Sequence, residues 1–378
     1  MPVHLRVASV ALAAAVVASA CSGSDDPSAD GDLAVPTSAS SVTTAPDISI
    51  STVPEGGGAT SSDGDASVAE TTSTTITEVS LGVMPLTGIE ASDEDAIHRP
   101  VLAVKIDNVE SARPQAGLSE ADLVYEELVE GGLTRLLAVF HTNAPEEVGP
   151  VRSARSTDVP LLTPMREPLF AWSGANEAFA NLIRSVAIRD VGVDAQPDLY
   201  VRDPERGAPS DLMTDASALF DLIDDDRDLA PSQYLEHALP GGPTTSGEAV
   251  SSITVEFGAT TVVHEWDEDT ATWPRTQNDT AHVDASGARI APANVIVQFV
   301  EYEDTGFVDA AGASVPEAEL DGDGPAWFFV GGQWIEGSWS KANITARAQY
   351  LDPAGEPIVF AMGSTWVLLA PAGSATTS

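Results

Sequence analysis

The chain has 378 residues, with 17 basic and 58 acidic side chains and a formal net charge of −41. A surface of that sign repels phosphate backbones and anionic headgroups, which excludes nucleic acid and electrostatic membrane adhesion as partner classes. One cysteine, Cys21, excludes an internal disulfide or a thiolate metal site, so the fold must rest on its apolar core.

Residues 1–20 read as a signal peptide. Arg6 gives a minimal positive start, Val7 to Val17 is apolar apart from Ser9, and Ala18-Ser19-Ala20 offers a small-residue cleavage site. The apolar run is too short to span a bilayer, and cleavage would leave Cys21 at the N-terminus for thioether lipidation. Burial of Cys21 in a core is excluded by Ser22-Gly23-Ser24-Asp25-Asp26, which cannot pack. Residues 21–80 therefore read as a lipidated cysteine and a disordered acidic Ser/Thr-rich tether, with 10 acidic and no basic residues over 22–80. Such a tether reaches roughly 45 Å.

Folded sequence begins near Met84. Val101 to Ile106 predicts a buried strand. Leu123 to Glu130 and Leu133 to His141 predict an antiparallel pair, because Gly131-Gly132 permits the positive φ angles of a tight turn. A helix capped by Ser119 and Asp122 is the competing reading of the first run. Asn176 to Val186 and Asp215 to Ile223 have helical spacing. Beyond Pro243, strands are predicted at Ile253–Phe257, Thr261–Trp266, Asn294–Tyr302, Ala326–Val330, Gln333–Trp339 and Trp366–Leu369. Six of the seven tryptophans fall in this second half. The fold class is α+β: an N-terminal α/β domain (81–245), a β-rich C-terminal domain (246–371) and a tail (372–378), with a layered β/β/α sandwich expected.

The densest sequence pattern runs through Arg113-Pro114-Gln115-Ala116-Gly117-Leu118, Glu130-Gly131-Gly132-Leu133-Thr134-Arg135, Gly149-Pro150-Val151-Arg152-Ser153-Ala154-Arg155 and Arg206-Gly207-Ala208-Pro209. Gly337-Ser338-Trp339-Ser340-Lys341 and Gly363-Ser364-Thr365-Trp366 follow in the second half. In these segments the chain resembles the YerB-like lipoproteins, a bacterial family without an established biochemical activity, over essentially 85–371. The resemblance implies a lipid-anchored two-domain α+β protein and supplies no reaction. Ser210 stands where the family often has a histidine, so no mechanism through an imidazole is carried over to that position.

Of the 16 basic residues beyond residue 80, 11 lie between Arg99 and Arg206, and only Lys105 and Lys341 are lysines. Guanidinium forks match carboxylate and phosphate oxygens, so Arg113, Arg135, Arg152, Arg155 and Arg206, with Gln115 and Ser153, form a candidate ligand-binding set for an anionic small molecule, glycopolymer or envelope protein. Pairing of each arginine with one of the 48 carboxylates beyond residue 80 is the plainer explanation. A wall-active hydrolase drawing an acid and a base from Asp107, Asp122, Glu126, Glu127, Glu130 and His141 is the competing function. No zinc-peptidase, nucleophile-elbow or phosphate-loop pattern occurs, so no cofactor or metal is expected. His264 and His282 read as isolated surface or turn positions, and the tryptophans as sheet core with some half-buried rings. The expected setting is the extracytoplasmic face of the cell membrane, with the lipid on Cys21 as anchor and a non-catalytic binding or assembly role.

Overall fold

Every residue of the strand Thr365–Pro371 except the last is buried, and both of its neighbours run parallel to it. One neighbour, Asn294–Val300, comes from the second half of the chain, whereas the other, Leu123–Leu128, comes from the first. Such a doubly covered parallel strand needs an unbroken apolar run, which Trp366-Val367-Leu368-Leu369-Ala370 provides. In the computed structural model, which describes residues 82–92, 94–223, 229–308 and 312–378, this strand joins both halves into one large sheet. The segments read as a signal peptide and a tether, with Cys21 between them, lie outside the described residues.

The sheet order is Gln349–Leu351, Gln333–Lys341, Gly322–Val330, Asn294–Val300, Thr365–Pro371, Leu123–Leu128, Thr134–Phe140, Leu102–Asp107, Leu169–Ala171 and Arg189–Asp190, with Glu248–Ala249 pairing alongside Gln333 and Trp334. The predicted hairpin forms in the register Leu123↔Val139 to Leu128↔Thr134. Its turn, Glu130–Gly132, places both glycines at positive φ, 72° and 74°. Gly132 is also a close-approach site: its carbonyl accepts from the Ala259 amide, and a Cβ there would lie 2.8 Å from that nitrogen.

A smaller antiparallel sheet, Thr280–Ala281, Arg275–Gln277, Thr261–Glu265, Ser252–Glu256 and Ala375–Thr377, covers one face. Ile253, Val255, Val262 and Trp273 pack there with Val124, Leu136, Val295 and Leu368. On the other face, Leu137, Val139 and Phe328 pack with Leu162 and Ile183 from the helical segments Asp158–Leu162 and Glu177–Ser185. The result is a β-rich α+β fold in three layers. Asn176 caps the longer helix by accepting from the Ala178 amide at 2.9 Å. The helix read at Asp215–Ile223 is shorter, Ala216–Phe220, with Asp215 as its cap.

His264 and His282 are corrected by the structure: they are 0% and 1% exposed and both face Trp366, with ring centroids 6.1 and 6.3 Å away. The signal for His264 was legible, because alternation puts it on the same inward face as Val262. His264 Nδ1–H donates to the Trp273 carbonyl at 3.0 Å, and burial, aided by Arg275, lowers its pKa to about 3. Between pH 6.5 and about 3 the unfolded chain thus binds a proton that the folded one refuses, so stability falls as pH falls through that window. Replacing His264 by Asn, which keeps a donor toward Trp273, should flatten the pH dependence of the urea midpoint by up to about 1.4 kcal/mol per pH unit. An unchanged slope would contradict the burial of a neutral imidazole. The tryptophans form no exposed row: Trp273, Trp339 and Trp366 are buried, and Trp266, Trp327 and Trp334 pack half-buried against the inner cluster.

Candidate functional site

Alternation along the hairpin sends Glu126 and Glu127 to opposite faces of the large sheet. Glu126 points toward the small sheet, where Arg275 Nη2 donates to both its oxygens at 2.7 and 2.9 Å. Thr134 Oγ1, Asn108 Nδ2 and Trp366 Nε1 complete its shell at 2.9, 3.2 and 3.0 Å. The same guanidinium donates to Gln277 Oε1 and to His282 Nδ1, and it lies 5.0 Å over the Trp366 ring. A guanidinium only donates, so His282 carries its proton on Nε2 and passes it toward Gln115 Oε1 at 2.8 Å. Burial and then Arg275 hold His282 neutral, well below the usual histidine range. Gln115, 0% exposed, donates onward to the Asp107 carbonyl and to Asn108. Glu126 and Gln115 are therefore internal struts between the two halves.

The opposite face carries Lys105 and Asp107, Arg135, and Glu127 from three neighbouring strands. The loop after Pro150 crosses their ends. Arg152 donates its amide to the Lys105 carbonyl and pairs with Asp107 Oδ2 at 3.0 Å. Ser210 Oγ donates to the same oxygen at 2.7 Å. Arg155 pairs with Glu130 at 2.5 Å. Burial pushes Glu130 up, but that guanidinium outweighs it and holds the carboxyl below its usual range.

Arg135 differs from its neighbours. It is 8% exposed and donates to the Ser153 carbonyl at 3.1 Å, yet among the described residues no carboxylate pairs with it within 4 Å. Burial, then Arg155, brings its guanidinium down to about 10. Glu130, Ser153 and Arg155, with Asn176, Phe179, Val308 and Val315, line a cleft of about 250 Å³, and Arg135 lies beside it against the Ser153 carbonyl. The hairpin Tyr302–Val308 and Ser314–Ala318 forms one wall, clasped to the loop by Ser156 Oγ to Glu317 Oε2 (2.6 Å) and by the Ala318 amide to Thr157 Oγ1 (3.2 Å).

The structure thus brings Arg135, Arg152, Ser153 and Arg155 together and leaves Arg113 and Arg206 apart from this cleft. Arg206 pairs with Asp203 and donates to the Ala112 and Pro114 carbonyls, tying down the loop that carries Gln115. Arg113 donates to the Gln277 carbonyl at 3.5 Å, and burial, then nearby Arg275, lowers its pKa. The remaining hydrolase candidates are internal as well. Asp122, pushed up to about 6 by burial, accepts from the His141 and Thr142 amides at 2.6 and 2.7 Å, while His141 Nε2 donates to the Arg99 carbonyl. None of Asp107, Asp122, Glu126, Glu127 and Glu130 exceeds 7% exposure. Among the described residues no group of three or more His, Cys, Asp or Glu side chains is arranged to hold a metal ion.

Sequence reasoning did not single out Lys105, Asp158, Arg275, Gln277 or Trp366 as polar partners. Lys105 had a visible signal, a charge in the middle of an otherwise apolar strand. Arg275 had none, because its partner is 149 residues away.

A three-layer α+β protein, with both halves of the chain sharing one sheet and a cleft beside clustered arginines at the end of its hairpin, is the class that these observations define. The chain belongs to the YerB-like two-domain family: residues 86–228 match the N-terminal domain of the protein of unknown function DUF3048, and residues 253–367 match its C-terminal domain. It is 28% identical over 297 residues to a protein of Bacillus subtilis (strain 168) whose name calls it a lipoprotein, YerB, covering 76% of this chain and 86% of that one. The crystal structure of YerB protein from Bacillus subtilis superposes with a TM-score of 0.68 at 26% identity, covering 78% of this chain and 99% of that one.

Proposed function

We propose that this protein is a lipid-anchored binding or assembly protein on the extracytoplasmic face of the membrane, non-catalytic, receiving an anionic group in the cleft beside Arg135, Arg152 and Arg155. The observation that carries this reading is Arg135, a buried guanidinium beside two others and without a carboxylate of its own. A carboxylate or phosphate there adds counter-charge to a guanidinium that Arg155 and Arg152 repel and that Glu130 and Asp107, each paired with another arginine, offset only in part. The sequence around Cys21 and the name of the Bacillus subtilis relative support the anchor. An anionic small molecule, a glycopolymer or an acidic envelope protein each presents the required group. The burial and engagement of the candidate carboxylates speak against the hydrolase.

Titration of the full chain with inorganic phosphate and citrate, followed by calorimetry, tests the reading. Saturable binding is expected, weakened about tenfold or more in Arg135→Gln, because a hydrogen bond to a charged group contributes about 1.5–3 kcal/mol. Equal affinity in the variant, or no saturable binding in either protein, contradicts it.

A further inference from the structure

Lys105 is the strongest unexplained feature of the molecule. Its Nζ is wholly buried on one face of the large sheet, in contact with Glu127 Oε1 and 2.7 Å from Asp158 Oδ1. Both carboxyls are essentially inaccessible as well. Leu137 lies beside Lys105 in register, Tyr125 lies beyond it and Val159 follows Asp158, all buried, while Arg135 lies beside Glu127, so the three groups meet where the apolar core borders the arginine cluster. Held only as an ion pair, such a group carries a desolvation cost of several kcal/mol per ion.

The two carboxyls are not equivalent. Asp158 is fixed as an acceptor, taking the Arg155 amide on Oδ2 at 2.7 Å and Lys105 on Oδ1. Glu127 touches Lys105 through Oε1, while its Oε2 is buried without a hydrogen-bond partner. Burial outweighs the opposing charge of Lys105 and, with the negative charge of Asp158, pushes the Glu127 carboxyl up toward its neutral acid form. A protonated acid is the electrophile that an amine attacks, and a neighbouring carboxylate is the base that frees the amine.

We propose that Lys105 and Glu127 are joined by an intramolecular amide bond, formed by the folded protein itself with Asp158 as the proton carrier. Asp158 Oδ1 takes a proton from the Lys105 ammonium. The freed amine pair attacks Cδ of the neutral Glu127 acid, forming the Nζ–Cδ bond and moving the carbonyl pair onto Oε1. Protonated Asp158 gives its proton to the Oε2 hydroxyl, the Cδ–Oε2 bond breaks and one water leaves, and Asp158 then takes one of the two Nζ protons as the carbonyl re-forms. Ammonium, neutral acid and the Asp158 carboxylate thus become amide, water and protonated Asp158, with no oxidant or reductant. Arg155, whose charge acts on Glu127, stabilises the oxyanion on Oε1. The product replaces two buried charges by a neutral amide and ties the strand Leu102–Asp107 to Leu123–Leu128 across the strand between them. In a chain with no cysteine pair, this is a covalent staple of another chemistry.

Peptide mass mapping of the full chain, denatured and digested with trypsin, reads the bond directly. An acylated lysine is not cut, so the expected product runs through Lys105 to Arg135 uncut at Lys105 and is lighter than its sequence by one water. Fragmentation should show no backbone ion separating Lys105 from Glu127. Asp158→Ala should restore cleavage after Lys105 in the folded, purified variant. Cleavage after Lys105 in the denatured wild-type chain, or a peptide of full mass, overturns the proposal whether or not any variant folds.

Discussion

Glu126→Ala is expected to destabilise the protein by about 3–5 kcal/mol, read as a lowered urea midpoint, because it leaves the Arg275 guanidinium buried without its counter-charge. Both side chains are 0% exposed, and the Arg275 contacts that remain, Gln277 and His282, are neutral. Replacing Glu126 and Arg275 together by leucine should recover part of the loss, since the pair is then removed rather than broken. The pair Arg202–Asp211 provides the contrast: Asp211 is buried but Arg202 is 64% exposed, and Arg202→Ala should cost no more than about 1 kcal/mol. A loss of that small size for Glu126→Ala would mean that the two halves are not locked together here. Glu126 lies in one family region and Arg275 in the other, so loss of cooperativity between the halves should accompany the destabilisation.

Trp366→Ala should cost a similar amount, about 3–5 kcal/mol, through the cavity left by a 2%-exposed indole. The ring fills the space between the two sheets at the strand shared by both halves, against His264, His282 and Arg275. Trp366→Phe separates the two roles of the side chain. It keeps most of the ring and removes the donor to Glu126 Oε2, which Arg275 still satisfies, so about 1–2 kcal/mol is expected. Trp266→Ala, at the half-buried edge of the same cluster, should cost less than Trp366→Ala. Equal costs at the two positions would contradict the placement of the core.

The local elements were legible because they depend on short patterns. Gly131-Gly132 announced the turn, alternation marked the strands, and Asn176 and Asp215 stood where caps stand. The shared sheet was not legible, because the pairing of Thr365–Pro371 with Leu123–Leu128 is a contact between residues about 240 apart, and no local spacing encodes it. The same reason hid Arg275 as the partner of Glu126. His264 and His282 were misplaced because a lone histidine reads as polar, whereas a neutral imidazole with a carbonyl or amide partner packs as core. Among the arginines, sequence placed seven site candidates in one set with Gln115 and Ser153 included. Folding divides them by sheet face and loop, with Ser153 and Arg155 lining the cleft, Arg135 and Arg152 beside them, Gln115 in the internal network, and Arg113 and Arg206 beside the loop that carries it.

The anion-binding role of that cleft is tested most directly by following the arginine side-chain Nε–Hε resonances of the full chain by NMR as inorganic phosphate is added. The resonances of Arg135, Arg152 and Arg155 should move together along one saturation curve, while those of Arg206 and Arg275, each held by its own partners, remain in place. Movement of all arginines alike, or none at Arg135, would contradict the assignment of the cleft.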